Sequence, residues 1–203
     1  MNNIIEYLDY LFPNPKCELN YNKDYELLIA VMLSAQTTDK SVNLVTKVLF
    51  DKYRTLEELK DARLEDIIDI IKPIGTYNRK AVYLLDIANI LYTKYDGIVP
   101  NDRKALESMP GIGRKVANVV LSEWFNLPNI AVDTHVDRVS KRLGLAKTSD
   151  SVLEVEKKLQ KLYLKDDWSR RHLQMVLFGR YYCKSSRPLC DGCKLRNICK
   201  KKD

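Results

Sequence analysis

Nowhere in the chain do about 18 apolar residues run together, the length a helix needs to cross a bilayer. A membrane span is therefore not expected, although hydrophobic residues make up 45% of the 203. The first residues, MNNIIEYLDYLF, form a short amphipathic stretch without a basic flank, a long apolar core or a small-residue cleavage site. A secretory leader is therefore not expected, and the protein is expected to be soluble and intracellular. Period-2 alternation, the mark of half-buried strands, is scarce, and there is no low-complexity linker or internal repeat. Five cysteines, an odd number with four in the last 21 residues, do not make a secreted disulfide framework.

What is present is helix and positive charge. Lys and Arg number 34 against 27 Asp and Glu, a formal net charge of +7. From Gly179 to the end eight Lys or Arg face two Asp. A basic tail on a basic body favours a polyanionic partner over an acidic or apolar one.

YELLIAVML (Tyr25–Leu33) is apolar almost all round and predicts a buried helix. Val42, Val45, Val48 and Leu49 predict a helical stripe. Thr55 with Glu58, and Ser151 with Glu154, read as capping boxes. Ile67 to Ile71 lie on a short helix stopped by Pro73. Gly75-Thr76-Tyr77-Asn78 reads as a turn, and Arg79–Tyr95 carries Val82, Leu84, Leu85, Ile87, Ile90 and Leu91 at helical spacing. Further helices are expected over Arg114–Phe125, from Asp133 or Thr134 through Arg142, from Ser151 to about Tyr163, and over Asp167–Tyr182. The fold class is all-α.

The stretch LESMPGIGRKVAN (Leu106–Asn118) organises the rest. Gly111-Ile112-Gly113 can make a tight turn that opens the following helix, and the positive dipole end of that helix suits an anion such as phosphate. Arg114 and Lys115 in its first turn are misplaced for helix stability but raise the positive potential. A plain helix–turn–helix bend reads the same residues without a ligand. Cys183, Cys190, Cys193 and Cys199, spaced C-x6-C-x2-C-x5-C, can hold a tetrahedral metal or an iron–sulfur cluster, and the spacing alone does not separate zinc from [4Fe–4S]. Such a centre would order a loop that has few apolar groups of its own. Cys17 lies far from this cluster in sequence.

Lys115 and Asp133 form a second chemical pair. An amine attacks an electrophilic sugar carbon only when deprotonated, and a helix N-terminus, a neighbouring cation and partial burial all disfavour its protonated form. A nearby carboxylate can accept the proton or stabilise positive charge on the sugar ring. Lys115 as a phosphate contact and Asp133 as a helix cap remain the structural alternatives.

LESMPGIGRKVANVVL, AVDTHVDRVSKRLGL and the four-cysteine spacing together resemble the endonuclease III family of DNA glycosylase/AP lyases, in the helix–hairpin–helix superfamily. The likeness extends to Leu33–Asp39 and Ile74–Ala81, and covers about Tyr25 to Cys199. It implies a six-helix barrel domain over residues 18–127, with residues 1–17 and 128–203 forming a discontinuous helical domain that carries a [4Fe–4S] cluster on the four cysteines. It implies that duplex DNA with a damaged or missing base crosses a cleft where Lys115 and Asp133 face each other. A damaged pyrimidine is flipped out, Lys115 attacks the sugar C1′, and the resulting Schiff base undergoes β-elimination that cuts the strand 3′ to the lesion.

By the same likeness Gln36 fills the gap left by the flipped base, and Gly111, Ile112, Gly113 and Arg114 hold a phosphate. Lys184, Arg187, Lys194 and Arg196 in the cluster loop add phosphate contacts. The family often has a bulky Leu wedge where this chain has Thr76, which inserts less apolar surface between bases. His135 either lines the cleft or simply begins a helix. A DNA-bound, cytoplasmic or nucleoid-associated monomer is expected. Adenine-mismatch glycosylases of the superfamily lack the hairpin lysine, and mismatch thymine or uracil glycosylases usually place another residue there, so Lys115 selects the bifunctional lyase. A monofunctional glycosylase, a non-enzymatic DNA-binding protein and a zinc-bound regulatory module are the competing readings.

Overall fold

The computed structural model describes residues 2–201. They form eleven α-helices and two short 3-10 turns, and no strand occurs among them, so the all-α expectation holds. In chain order the helices are α1 (Asn2–Leu11), α2 (Asp24–Leu33), α3 (Asp39–Lys52), α4 (Leu56–Lys60), α5 (Leu64–Ile71), α6 (Tyr77–Lys94), α7 (Arg103–Glu107), α8 (Arg114–Glu123), α9 (Thr134–Arg142), α10 (Val152–Leu162) and α11 (Trp168–Tyr181). No helix among the described residues is long and apolar enough to cross a membrane. The chain divides into two compact units, Glu18–Phe125 and Met1–Cys17 with Asn126–Asp203.

In the unit Glu18–Phe125, α2 is the central element. Every residue from Tyr25 to Leu33 is buried, and the helix touches α3, α6 and α8. Its all-round apolar sequence follows from that position, because no face is left to water. Glu26 is the one acid buried in it, and its carboxylate accepts from the amide of Asn22 at 2.7 Å. Thr55 and Glu58 form the expected capping box at α4, each satisfying the other's backbone amide.

Three expectations in this unit need correction. Val48 and Val82 are exposed, because the buried stripes follow Val42, Val45, Thr46 and Leu49 on α3 and Ala81, Leu84, Ile87, Ala88 and Leu91 on α6. Helix α6 begins at Tyr77 rather than Arg79, since Thr76 takes a left-handed conformation (φ 56°) and completes the turn by itself. Helix α8 stops at Glu123, two residues short of Phe125.

The other unit is built around Phe178 of α11, which is 1% exposed. It packs with Tyr7 and Leu8 of α1, Val136 and Val139 of α9, Val155 and Leu159 of α10, and Leu195 of the cysteine loop. Burying a side chain of this size stabilises by roughly 1.5–3 kcal/mol. Helices α9 and α11 approach closely at Gly179, where a Cβ would lie 2.8 Å from the Cβ of His135. Asp9 ties α1 to α11 by accepting from Arg171 at 2.6 Å and Gln174 at 2.9 Å. The Ser151–Glu154 capping box is present at α10.

Candidate functional site

The hairpin begins with α7, continues through a turn at Ser108–Gly113 and enters α8. Gly111 has φ +76°, and a Cβ built on it would lie 2.5 Å from Cδ2 of Tyr83, so both conformation and packing require glycine. Ile112 is buried and anchors the turn, while Gly113 stands as the N-cap of α8 and supplies no side-chain oxygen to its amides. Arg114 is exposed in the first turn and Lys115 is half-buried beside it. The Lys115 ammonium makes no hydrogen bond or ion pair among the described residues. A helix start with uncapped amides and two cations presents a concentrated positive potential.

Asp133 is the N-cap of α9. Its Oδ1 accepts from the amide of Val136 at 2.8 Å and the carboxylate is half-buried. The extended segment before it buries Ile130, Ala131 and Val132, which fixes where α9 starts. His135 is the second residue of α9, and its Nδ1 lies 3.1 Å from a terminal nitrogen of Arg138. Arg138 also donates to the carbonyls of Gly179 at 2.7 Å and Cys183 at 3.1 Å. Burial and the adjacent Arg142 hold the Arg138 guanidinium below its ordinary pKa.

Gln36 and Thr76 lie on two exposed turns of the Glu18–Phe125 unit, and both have φ 56°. Between those turns stands a residue that the sequence reading passed over. Lys80 of α6 is 4% exposed and donates to the carbonyls of Leu33 and Ala35, both at 2.8 Å. In NRKA it looks like a surface cation. Only the carbonyls that meet it reveal otherwise.

Cys183, Cys190, Cys193 and Cys199 line one cavity of about 150 Å³, closed on its apolar side by Leu143, Phe178 and Tyr182. None of the four is in a disulfide, and neither is Cys17. Burial, together with the three neighbouring cysteines, pushes the Cys193 thiol up. Cys193 donates its amide to Cys190 at 3.1 Å, and Leu189 donates to Tyr182 at 2.9 Å, so the loop folds back on the end of α11. Arg142 at the C-terminus of α9 donates to Sγ of Cys183 at 3.3 Å and to the carbonyl of Lys184 at 2.7 Å. Sequence spacing gave no sign of that arginine's role.

Among the described residues no group of three or more His, Cys, Asp or Glu is gathered for a single ion. Four thiols lining one cavity are a donor set that fits an iron–sulfur cluster or a tetrahedral zinc. Of the basic residues expected on this loop, Lys184 and Arg187 are exposed. The Lys194 ammonium sits 4.7 Å from the Tyr10 ring centre, and Arg196 pairs with Asp191 at 3.0 Å.

Comparison with known proteins converges on one family. The family described as HhH-GPD superfamily base excision DNA repair protein matches residues 29–165. Endonuclease III of Bacillus subtilis (strain 168) is 48% identical over 190 residues, covering 94% of this chain and 87% of that protein. A structure of a trapped endonuclease III–DNA covalent intermediate superimposes with a TM-score of 0.93 at 48% identity, over 98% of this chain and 96% of that one. A non-covalent endonuclease III–DNA complex gives 0.95 at 49% identity, over 98% and 93%. The chain belongs to the endonuclease III family of the HhH-GPD superfamily of base excision DNA repair proteins.

Proposed function

We propose that this chain is a bifunctional DNA N-glycosylase and AP lyase that removes oxidised pyrimidines from duplex DNA. The observation that carries the reading is Lys115, a half-buried lysine with no protein partner among the described residues, in the first turn of the hairpin helix. Its neutral amine attacks C1′ of the damaged nucleotide and the base leaves with its bonding electrons. The sugar opens as a Schiff base to Lys115. Loss of a C2′ proton then expels the 3′ phosphate, and hydrolysis returns the free amine. Asp133 accepts a proton from the amine or stabilises the sugar cation.

The hairpin residues Gly111–Arg114 bind phosphate, and Gln36 fills the stack that the extruded base leaves, with Thr76 beside the opened step. His135 lies next to the reacting carboxylate in sequence. Lys184, Arg187, Lys194 and Arg196 add phosphate contacts, which makes affinity salt-dependent. Cys183, Cys190, Cys193 and Cys199 hold a [4Fe–4S] cluster, which when bound supplies covalent order to the loop and takes no part in base removal. The chain works as a monomer on DNA in the cytoplasm or nucleoid, with residues 18–127 as the barrel domain and 1–17 with 128–203 as the cluster domain.

Borohydride trapping on a duplex with one abasic site tests the assignment. Wild type forms a covalent adduct, and Lys115→Ala loses it while still binding the DNA. A wild-type protein that carries its cluster and binds DNA yet gives no adduct would overturn the lyase reading in favour of a monofunctional glycosylase or a binding protein.

A further inference from the structure

Lys80 is buried on α6, with 4% of the residue exposed. Nζ donates to the carbonyls of Leu33 and Ala35 at 2.8 Å and to Oγ1 of Thr37 at 3.1 Å, which occupies all three of its protons. Its backbone amide donates to the carbonyl of Thr76 at 3.1 Å. That main-chain bond is the first helical bond of α6, so the side chain ties the 33–37 turn to the start of the helix that Thr76 opens. The turns also lie side by side, since a Cβ built on Gly75 would lie 3.9 Å from the carbonyl oxygen of Gln36.

Burying a charge here is expensive. Burial, and then the neighbouring Arg79, pull the Lys80 ammonium below its ordinary pKa. An apolar side chain would fill the same space at lower cost, so a stability argument alone does not account for lysine. What it holds does. Gln36 and Thr76 both take the left-handed conformation, which a non-glycine residue keeps only where its surroundings fix it. The Gln36 turn has few bonds of its own: Ala35 donates to Met32 at 3.3 Å and Thr37 to Ser34 at 3.1 Å.

We infer that Lys80 is a positioning residue which presents the Gln36 and Thr76 turns together as a preformed wedge for the opened base step. The inference rests on the reading of Gln36 as the residue that fills the vacated stack. It makes no contact with substrate necessary for Lys80 itself.

Lys80→Met, made in the full cluster-loaded chain, tests it by two independent routes. Hydrogen exchange needs no DNA: the amides of residues 35–37 should exchange faster while those of α8 stay unchanged. Unmoved exchange at the turn would overturn the inference. In single-turnover excision, a fully paired duplex should lose about tenfold to a hundredfold. The same lesion in an unpaired bubble, which has no stack to fill, should be excised at the wild-type rate.

The Lys80→Met, Gln36→Ala double variant should fall no further than the lower single, since both remove one function. Equal losses on duplex and bubble, or losses that multiply in the double variant, would mark Lys80 as merely structural. If exchange rises but Gln36→Ala alone leaves duplex excision intact, the reading of Gln36 fails and the gripping role of Lys80 stands. Should Lys80→Met not fold, Thr37→Val removes one acceptor without leaving an unfilled core position. The same outcomes, with smaller shifts, then decide.

Discussion

The N-termini of α8 and α9 are built by opposite rules. Helix α9 follows every electrostatic preference of an isolated helix: Asp133 caps it, Asp137 sits in its first turn, and Lys141 and Arg142 end it. Helix α8 has a glycine N-cap with no capping side chain, Arg114 and Lys115 in its first turn, and no base in its last. A cation near a helix N-terminus costs about 0.3–1 kcal/mol. Complete capping boxes stand at α4 and α10, whereas α2, α5, α6 and α11 lack a side-chain cap as α8 does. What marks α8 is a glycine N-cap followed directly by two cations, an arrangement that suits an anion better than it suits the helix. At α9 the same physics runs the other way. Its carboxylate already serves the fold, so any chemical role of Asp133 is superimposed on a structural one.

Substitutions can separate the two. The largest effect belongs to Lys115→Ala, which should lower strand cleavage at an abasic site by about 10³-fold or more. Because the lysine is misplaced for the helix, the melting temperature should hold or rise slightly, as read by thermal unfolding. Asp133→Asn comes next. Asparagine caps as well as aspartate, so stability should stay constant while single-turnover excision falls about 10²- to 10⁴-fold. Asp133→Ala should add the cap loss, about 1 kcal/mol, or a melting point lower by about 2–4 °C. An Asn variant that keeps full activity would leave Asp133 as a cap only.

Gly111→Ala should cost about 1–3 kcal/mol, since it combines a strained φ with displacement of the Tyr83 ring. Denaturant titration would read the loss, with weaker binding to any duplex regardless of sequence. Gly113→Ser is the smallest and the sharpest for the comparison. Space is open around this position, and a serine oxygen can cap α8. Stability should rise by a few tenths of a kcal/mol while DNA affinity falls, because the amides offered to phosphate now have an internal partner. A gain in both would show that the uncapped start has no bearing on binding.

Much of this was legible in the chain itself. The capping boxes, the buried α2, the glycine turn and the grouping of four cysteines each depend on residues near one another in sequence. The misses share another cause. Thr76 starts α6 early by adopting a conformation that threonine does not advertise. Val48 and Val82 carry the right chemistry one position off the buried stripe. Lys80 and Arg142 look like surface cations because the carbonyls that hold them come from segments more than 40 residues away.

The sequence by itself determined the helical class, the net positive charge and the candidates for chemistry. Periodicity, net charge and the presence of amine, carboxylate and thiols are properties of residues that need no partner to be stated. Only the tertiary structure decided that Lys80 is buried, that four thiols share one cavity, and that Arg142 reaches Cys183. For Lys80 the physical reason is desolvation, since an ammonium that is unremarkable in water becomes a structural organiser once packing leaves carbonyls and a hydroxyl to satisfy it. For Arg142 it is that its partners come from a distant segment.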